Sequence, residues 1–151
     1  YSPILWSDSS QLTGDTIFLA TKNRTMDEIK LRNNAFIISN AGPSIYNQIK
    51  GKNINGYFKN DSLRTVMVHG NGESIYYAQN EKKAFIGAND ADCSNIKVLF
   101  EKGKVRSVIF LTKPQATFHP MTQTNTDELI LEGFHWYEGK RPKNKASLFK
   151  P

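Results

Sequence analysis

The side chains best suited to general-base or metal chemistry near neutral pH are His69, His119 and His135, and they lie far apart in the chain. None pairs with a carboxylate at helical or hairpin spacing, so the pattern does not describe a metal site. Asp90 and Asp92 stand two apart in a Gly- and Asn-rich stretch after Gly87. A calcium loop would need further carboxylates at regular intervals, and these are missing, so a solvated turn is expected. Cys93 is the only cysteine, which excludes an intrachain disulfide and a cysteine-based zinc site. Its expected role is that of a small buried hydrophobe. There is no glycine-rich phosphate cradle and no nucleophile elbow, and the serines lack an adjacent base to activate them. The residues predict a binding protein that is not an enzyme and holds no metal and no cofactor. A hydrolase would require carboxylates that converge only in the fold.

Tyr46, Tyr57, Tyr76, Tyr77, Trp136 and Tyr137 could stack on sugars or bases, and the net charge of +6 would favour an anionic partner. The charge is unevenly spread. Residues 140–151 contain Lys140, Arg141, Lys143, Lys145 and Lys150 and no acid, which leaves the remaining 139 residues at +1. Residues 49–113 carry 11 basic and 6 acidic side chains, and residues 114–139 carry four acids and no Lys or Arg. Aromatic residues in strands are more often packing partners than stacking platforms, so nucleic acid ranks last among the partners. A basic tail and a solvated basic strand face account for the charge.

The elements that must position these residues follow from an internal repeat. Sliding the chain by 37 positions sets Leu12, Gly14 and Ile17 on Ile49, Gly51 and Ile54, then Lys22 and Asn23 on Lys59 and Asn60. The match runs on through Ile29 and Leu31 on Val66 and Val68, Asn34 on Asn71, and Ile38 on Ile75. A shift of 42 sets Ile54 and Phe58 on Ile96 and Phe100, and Leu63, Val66 and Val68 on Val105, Val108 and Phe110. Each of the three copies reads as a strand, a polar turn and a returning strand, with turns at residues 22–25, 59–62 and 101–104. Apolar residues alternate at period two along the returning strands. Gly, Asn and β-branched residues interrupt every candidate helix in residues 10–111. Only residues 126–132 permit a short helix, with an N-cap, two early acids and a break at Gly133.

The prediction is therefore one all-β domain over residues 1–151. Its core repeats cover about 10–111, followed by a C-terminal cap and basic tail over 112–151. The repeated antiparallel hairpins form a twisted sheet folded on itself as a jellyroll or open barrel. With almost no helix available, the shared apolar face must be buried against the other half of the same sheet. The predicted inward positions are Ile17, Leu19, Ile29, Leu31, Ile54, Phe58, Val66, Val68, Ile96, Val98, Phe100, Val108 and Phe110. If the halves splay, they line an apolar slot roughly 17–20 Å wide, comparable with a fatty acyl chain. If they do not, the same residues form a closed core without a ligand. Residues at the start of the chain lack the basic and apolar pattern of a signal peptide, and no run approaches the roughly 18 apolar residues of a membrane span.

The run Ile49, Gly51, Ile54, Gly56, Phe58, Leu63, Val66, Val68, Gly70, Asn71, Tyr76, Gly87, Asn89, Ile96, Phe100, Gly103 and Val105 resembles the OstA-like (LptA) family. The resemblance covers roughly residues 10–111 and is strongest over 49–110. That family includes periplasmic bridge proteins and the N-terminal domains of outer-membrane translocons for lipopolysaccharide. The resemblance implies a twisted β-jellyroll, a periplasmic location that extends to association with the outer membrane, and lipid A acyl chains held inside the fold. It also implies edge-to-edge assembly with related β-jellyroll domains, or with further copies of the chain as a homo-oligomer. Lys50, Lys52, Arg64, Lys97 and Arg106 are the predicted rim cations for lipid phosphates. The edges would be the strand near Gln11 to Thr21 and the one that ends the sheet beyond Val108. Beyond residue 111 the chain departs from a minimal member of the family: Pro114, Pro120, Phe134, Trp136 and Pro142 suggest an irregular cap that blocks one edge. The alternative function is a β-rich surface or adhesion module that uses outward aromatics and the cap to bind glycan or protein.

Overall fold

The computed structural model describes residues 3–140, and the basic tail from Arg141 onward, with Pro142, lies outside them. Among the described residues the chain forms nine strands: β1 (Ile4–Ser7), β2 (Ser10–Thr13), β3 (Thr16–Lys22), β4 (Thr25–Gly42), β5 (Ile45–Lys59), β6 (Ser62–Gln79), β7 (Phe85–Glu101), β8 (Lys104–Phe110) and β9 (Gln115–Pro120). They make one antiparallel sheet, open and not closed into a barrel, in the order β1-β2-β4-β5-β6-β7-β8, with β3 also on β4 and β9 also on β7.

The three predicted turns are tight two-residue reversals. Asn23 and Arg24, Asn60 and Asp61, and Lys102 and Gly103 all have positive φ, the geometry whose twist matches that of the flanking strands. Asn, Asp and Gly tolerate this conformation, which is why these turns were legible. The turns are also braced from outside: the Met26 N–H, just after the first, donates to Asp61 Oδ1 in the second at 2.9 Å, and Ser9 Oγ, from the reversal between β1 and β2, donates to the Gly103 carbonyl in the third at 3.2 Å.

The four long strands β4 to β7 are each interrupted near the middle. The β4–β5 register breaks between Arg32 and Ala35, the β5–β6 register between Lys50 and Asn53, and the β6–β7 register at His69 to Gly72. Asn33 and Asn34 in β4 and Gly70 and Asn71 in β6 take positive φ at these breaks. Bulges bend the strands that carry them, and here they form a line across the sheet. On one side lies a hairpin half, β3 and β8 with the adjoining parts of β4 to β7. On the other lies a cap half, in which β1, β2 and β9 complete the remaining parts.

Folding along this line brings the inner faces of both halves into one core. It contains Ile29, Leu31, Ile54, Val66, Val68, Ile96 and Val98 from the hairpin half and Leu5, Leu12, Ile37 and Ile49 from the cap half. The outer face of the cap half carries a second core, where Phe36, Ile38, Ile75, Tyr77 and Ala88 pack beneath Leu129, Leu131, Phe134 and Trp136. Ala35 to Ser39 are thus all buried, because this stretch of β4 is covered on both faces. The predicted helix at 126–132 reduces to a single 3₁₀ turn, Thr126–Glu128, capped by Asn125, whose Oδ1 accepts from the Asp127 N–H. Docking onto the sheet sets the path of this segment more strongly than its helix propensity does.

Candidate functional site

Directly opposed residues in an antiparallel ladder point to the same face. The register therefore sorts the predicted inner residues into rungs. One rung runs Ile17, Leu31, Ile54, Val68, Ile96, Phe110, and the next runs Leu19, Ile29, Gly56, Val66, Val98, Val108. Phe58 with Leu63 and Phe100 with Val105 begin a third, nearest the hairpin turns. The 37- and 42-residue repeats are this ladder seen in sequence.

Burial grades along the rungs. Ile29, Leu31, Ile54, Val66, Val68, Ile96 and Val98 expose nothing, and Phe58 and Phe100 are buried. The centre of the fold is thus packed shut in this conformation, with no open slot against these side chains. Ile17, Val108 and Phe110, on the edge strands β3 and β8, are only partly buried against the core. Leu19 departs from the expectation of burial: it shares a face with Ile29 but is 37% exposed, because β3 has a neighbour on one side only.

The inner surface of the cap half continues from Tyr76 through Asn89 to Phe118, which are opposed in the ladder. Tyr76 is partly buried against the main core, and Phe118 on the edge strand β9 is 51% exposed. Phe118 lies over Gly87, where a methyl group would collide with its ring. On this side the inner face ends in Val108 and Phe110 on β8, in the hairpin half, and in Phe118 on β9, in the cap half. The Tyr76 hydroxyl donates to the Arg106 carbonyl at 3.2 Å, tying β6 to the edge strand β8. Burial pushes the Tyr76 phenol above its ordinary value, so it stays a donor.

The five predicted rim cations are not gathered into one cluster. Lys50 Nζ donates to the Glu132 carbonyl of the cap at 2.7 Å, with Glu73 at 3.9 Å. It lies there because its register partners are Phe36 and Glu73 on the outer face. Lys52 sits at the bend, Lys97 faces outward opposite Met67 and Ile109, and Arg64 is exposed beside the β5–β6 turn. Arg106 is exposed with its guanidinium 3.5 Å from Glu101, while its backbone carbonyl is the group that accepts from Tyr76.

The edges also differ from the sequence reading. The segment from Gln11 to Thr21 divides into β2, which β1 covers, and β3, which is an edge. The predicted cap region divides: β9 pairs with β7 and so covers its edge in the cap half, while Leu129 to Trp136 lie over the outer face. Two buried glutamines hold the cap. Gln11 Nε2 donates to the His135 carbonyl at 2.7 Å while its Oε1 accepts from the Tyr137 N–H at 2.8 Å. Gln48 Nε2 donates to the Leu129 carbonyl and its Oε1 accepts from the Leu131 N–H, both at 2.9 Å. Each amide replaces a neighbouring strand's peptide group. The signal was present in the sequence, since the 37-residue shift lays Gln11 on Gln48.

The remaining chemical candidates stay apart. Among the described residues no three His, Cys, Asp or Glu side chains are placed to hold a metal. His119 stands 4.0 Å from Asp90 across β7 and β9. Asp90 and Asp92 lie within β7 and not in a turn. Burial raises the Asp90 carboxyl above its ordinary range; His119 opposes the shift and Asp92 adds to it. Cys93 is buried in the main core, with Sγ 3.0 Å from Thr112 Oγ1. The sequence matches no protein-family model, no curated protein and no solved structure.

Proposed function

We propose that the chain is a lipopolysaccharide-binding and transfer module that takes lipid acyl chains onto its inner sheet face, as its resemblance to OstA-like domains implies. One observation carries this reading: the register-aligned aliphatic rungs run out to Val108 and Phe110, only partly buried on β8, and the row from Tyr76 runs out to the exposed Phe118 on β9, margins that this reading takes as one apolar mouth. A chain entering there would exchange protein side chains for alkyl contacts of the same kind and needs no catalytic group. The packed centre makes entry a local opening between β8 and the cap half, with the Tyr76 bond as the contact to be broken. Arg106, exposed on β8, is the cation assigned on this reading to a lipid phosphate. The setting of this function is periplasmic, and the exposed edge strand β3, with Phe18 and Leu19 uncovered, suits strand addition by another β-jellyroll domain or a second copy.

Native mass spectrometry of the chain with and without lipopolysaccharide tests the proposal, scoring lipid adducts and oligomers together. A saturable adduct is expected, and it should disappear on Phe110→Asp or Phe118→Asp while the β-sheet circular dichroism persists. A chain that takes no lipid at any ratio would overturn the reading.

A further inference from the structure

On the opposite side of the sheet from the proposed lipid face, the cap and the outer surface of β2 and β4 enclose a cleft of about 370 Å³. This lies within the volume range of small-molecule sites, about 300–1,000 Å³. Its floor is apolar, from Phe36 and Ile38. One wall is aromatic, from His135 and Tyr137, whose ring centroids are 6.0 Å apart. Its rim carries Asp15 and Asn34, and Asn34 Nδ2 donates to the two Asp15 oxygens at 3.3 and 3.1 Å. The backbone beneath this pair is held by the bulge, where the Asp15 N–H donates to the Asn33 carbonyl at 2.9 Å and Asn34 has positive φ.

We infer that this cleft binds a hexopyranose ring. A pyranose has an apolar C–H face, which the aromatic wall of His135 and Tyr137 would cover. Its ring edge carries adjacent hydroxyls, which match a carboxylate and an amide already oriented by each other. The remaining acceptor capacity of Asp15 would take sugar hydroxyls in charge-assisted bonds. No Lys or Arg is among the residues lining the cleft, so the Asp15 carboxylate disfavours phosphates and nucleic acid there. The site is on the other face from the inner rungs and does not depend on the lipid reading.

The test is an amide-resolved NMR titration of the labelled chain with free glucose, galactose, mannose and glucosamine, and separately with the delipidated oligosaccharide of lipopolysaccharide. Saturable shifts are expected at Gly14, Asn34, Gly133 and His135 with midpoints in the millimolar range. They should weaken by about tenfold or more in Asp15→Asn and in Asn34→Gly. Glycine keeps the positive φ at position 34, so that variant removes the amide without straining the bulge. Response to free hexoses supports a general sugar site, and response to the oligosaccharide alone supports the same site reading a lipid's carbohydrate headgroup. Unmoved cleft amides with every saccharide, or shifts undiminished in both variants, would overturn the inference.

Discussion

Gln11 and Gln48 each present a peptide-like amide to a segment with no strand of its own. Gln48 shows the cost of losing one, since the Leu131 N–H it accepts from is buried. Gln48→Ala leaves that donor and the Leu129 carbonyl without this partner, and an unsatisfied buried group costs about 1–3 kcal/mol. Urea denaturation should show a loss of that size, with earlier proteolysis within residues 121–138. Asp90 offers a test of opposite sign. Its carboxyl is raised in the folded state, so between the unfolded and folded pKa values the native protein holds the extra proton and stability falls as pH rises. Asp90→Asn should therefore stabilise the protein at neutral pH, by no more than about 0.5 kcal/mol for so accessible a position, and the gain should vanish below the ordinary carboxylate range. Thermal melts at pH 3.5 and 7 would compare the two; a gain that persists in acid would contradict the assignment. The alternation of apolar residues made the inner face of the hairpin half readable, because period two is a local property of an extended chain. The same logic could not distinguish Leu19 from Ile29, since both occupy the same face and differ only in how many neighbours flank them.

At the scale of the element, the line of bulges converts four long strands into two facing halves. Gly72 lies on that line, where an added methyl group would meet the Cys93 backbone carbonyl and the Ile96 side chain. At Gly56, by contrast, the obstacles are side chains, Ile29 Cγ2 at 2.7 Å and Leu63 Cδ1 at 3.0 Å. Side chains can change rotamer, whereas a carbonyl moves only with its strand. Gly72→Ala should cost about 1–3 kcal/mol and more than Gly56→Ala, by chemical denaturation of the two variants side by side. Edge and centre should separate in the same way: Leu19→Lys is expected within about 0.5 kcal/mol of the parent, and Ile29→Lys should prevent folding. The hairpins themselves were legible because Asn, Asp and Gly mark left-handed turn positions. The bends were only half legible, through Asn34 aligned with Asn71, because a bulge is defined by the partner strand's register as much as by its own residues.

For the molecule as a whole, the folded sheet has a packed centre, less buried apolar residues on β8 and β9, and an exposed edge at β3. A charge at Phe58 or Phe100, both buried, would test the fold more than lipid binding. Phe110 and Phe118, at the accessible margin, separate the two. Tyr76→Phe removes the hydroxyl that reaches the Arg106 carbonyl, so amides of β8 should exchange faster with solvent while those of β5 keep their protection. Faster lipid uptake should accompany it, because the proposed entry requires that contact to break. By itself the sequence determined the strand pattern, the turns and the set of residues that share a face, all of which follow from local backbone geometry. The tertiary structure decided which members of that set are sealed, which lie on the edge strands, and that Lys50 bonds to the cap. Accessibility depends on segments brought together from distant parts of the chain, and no periodicity within one segment contains that information.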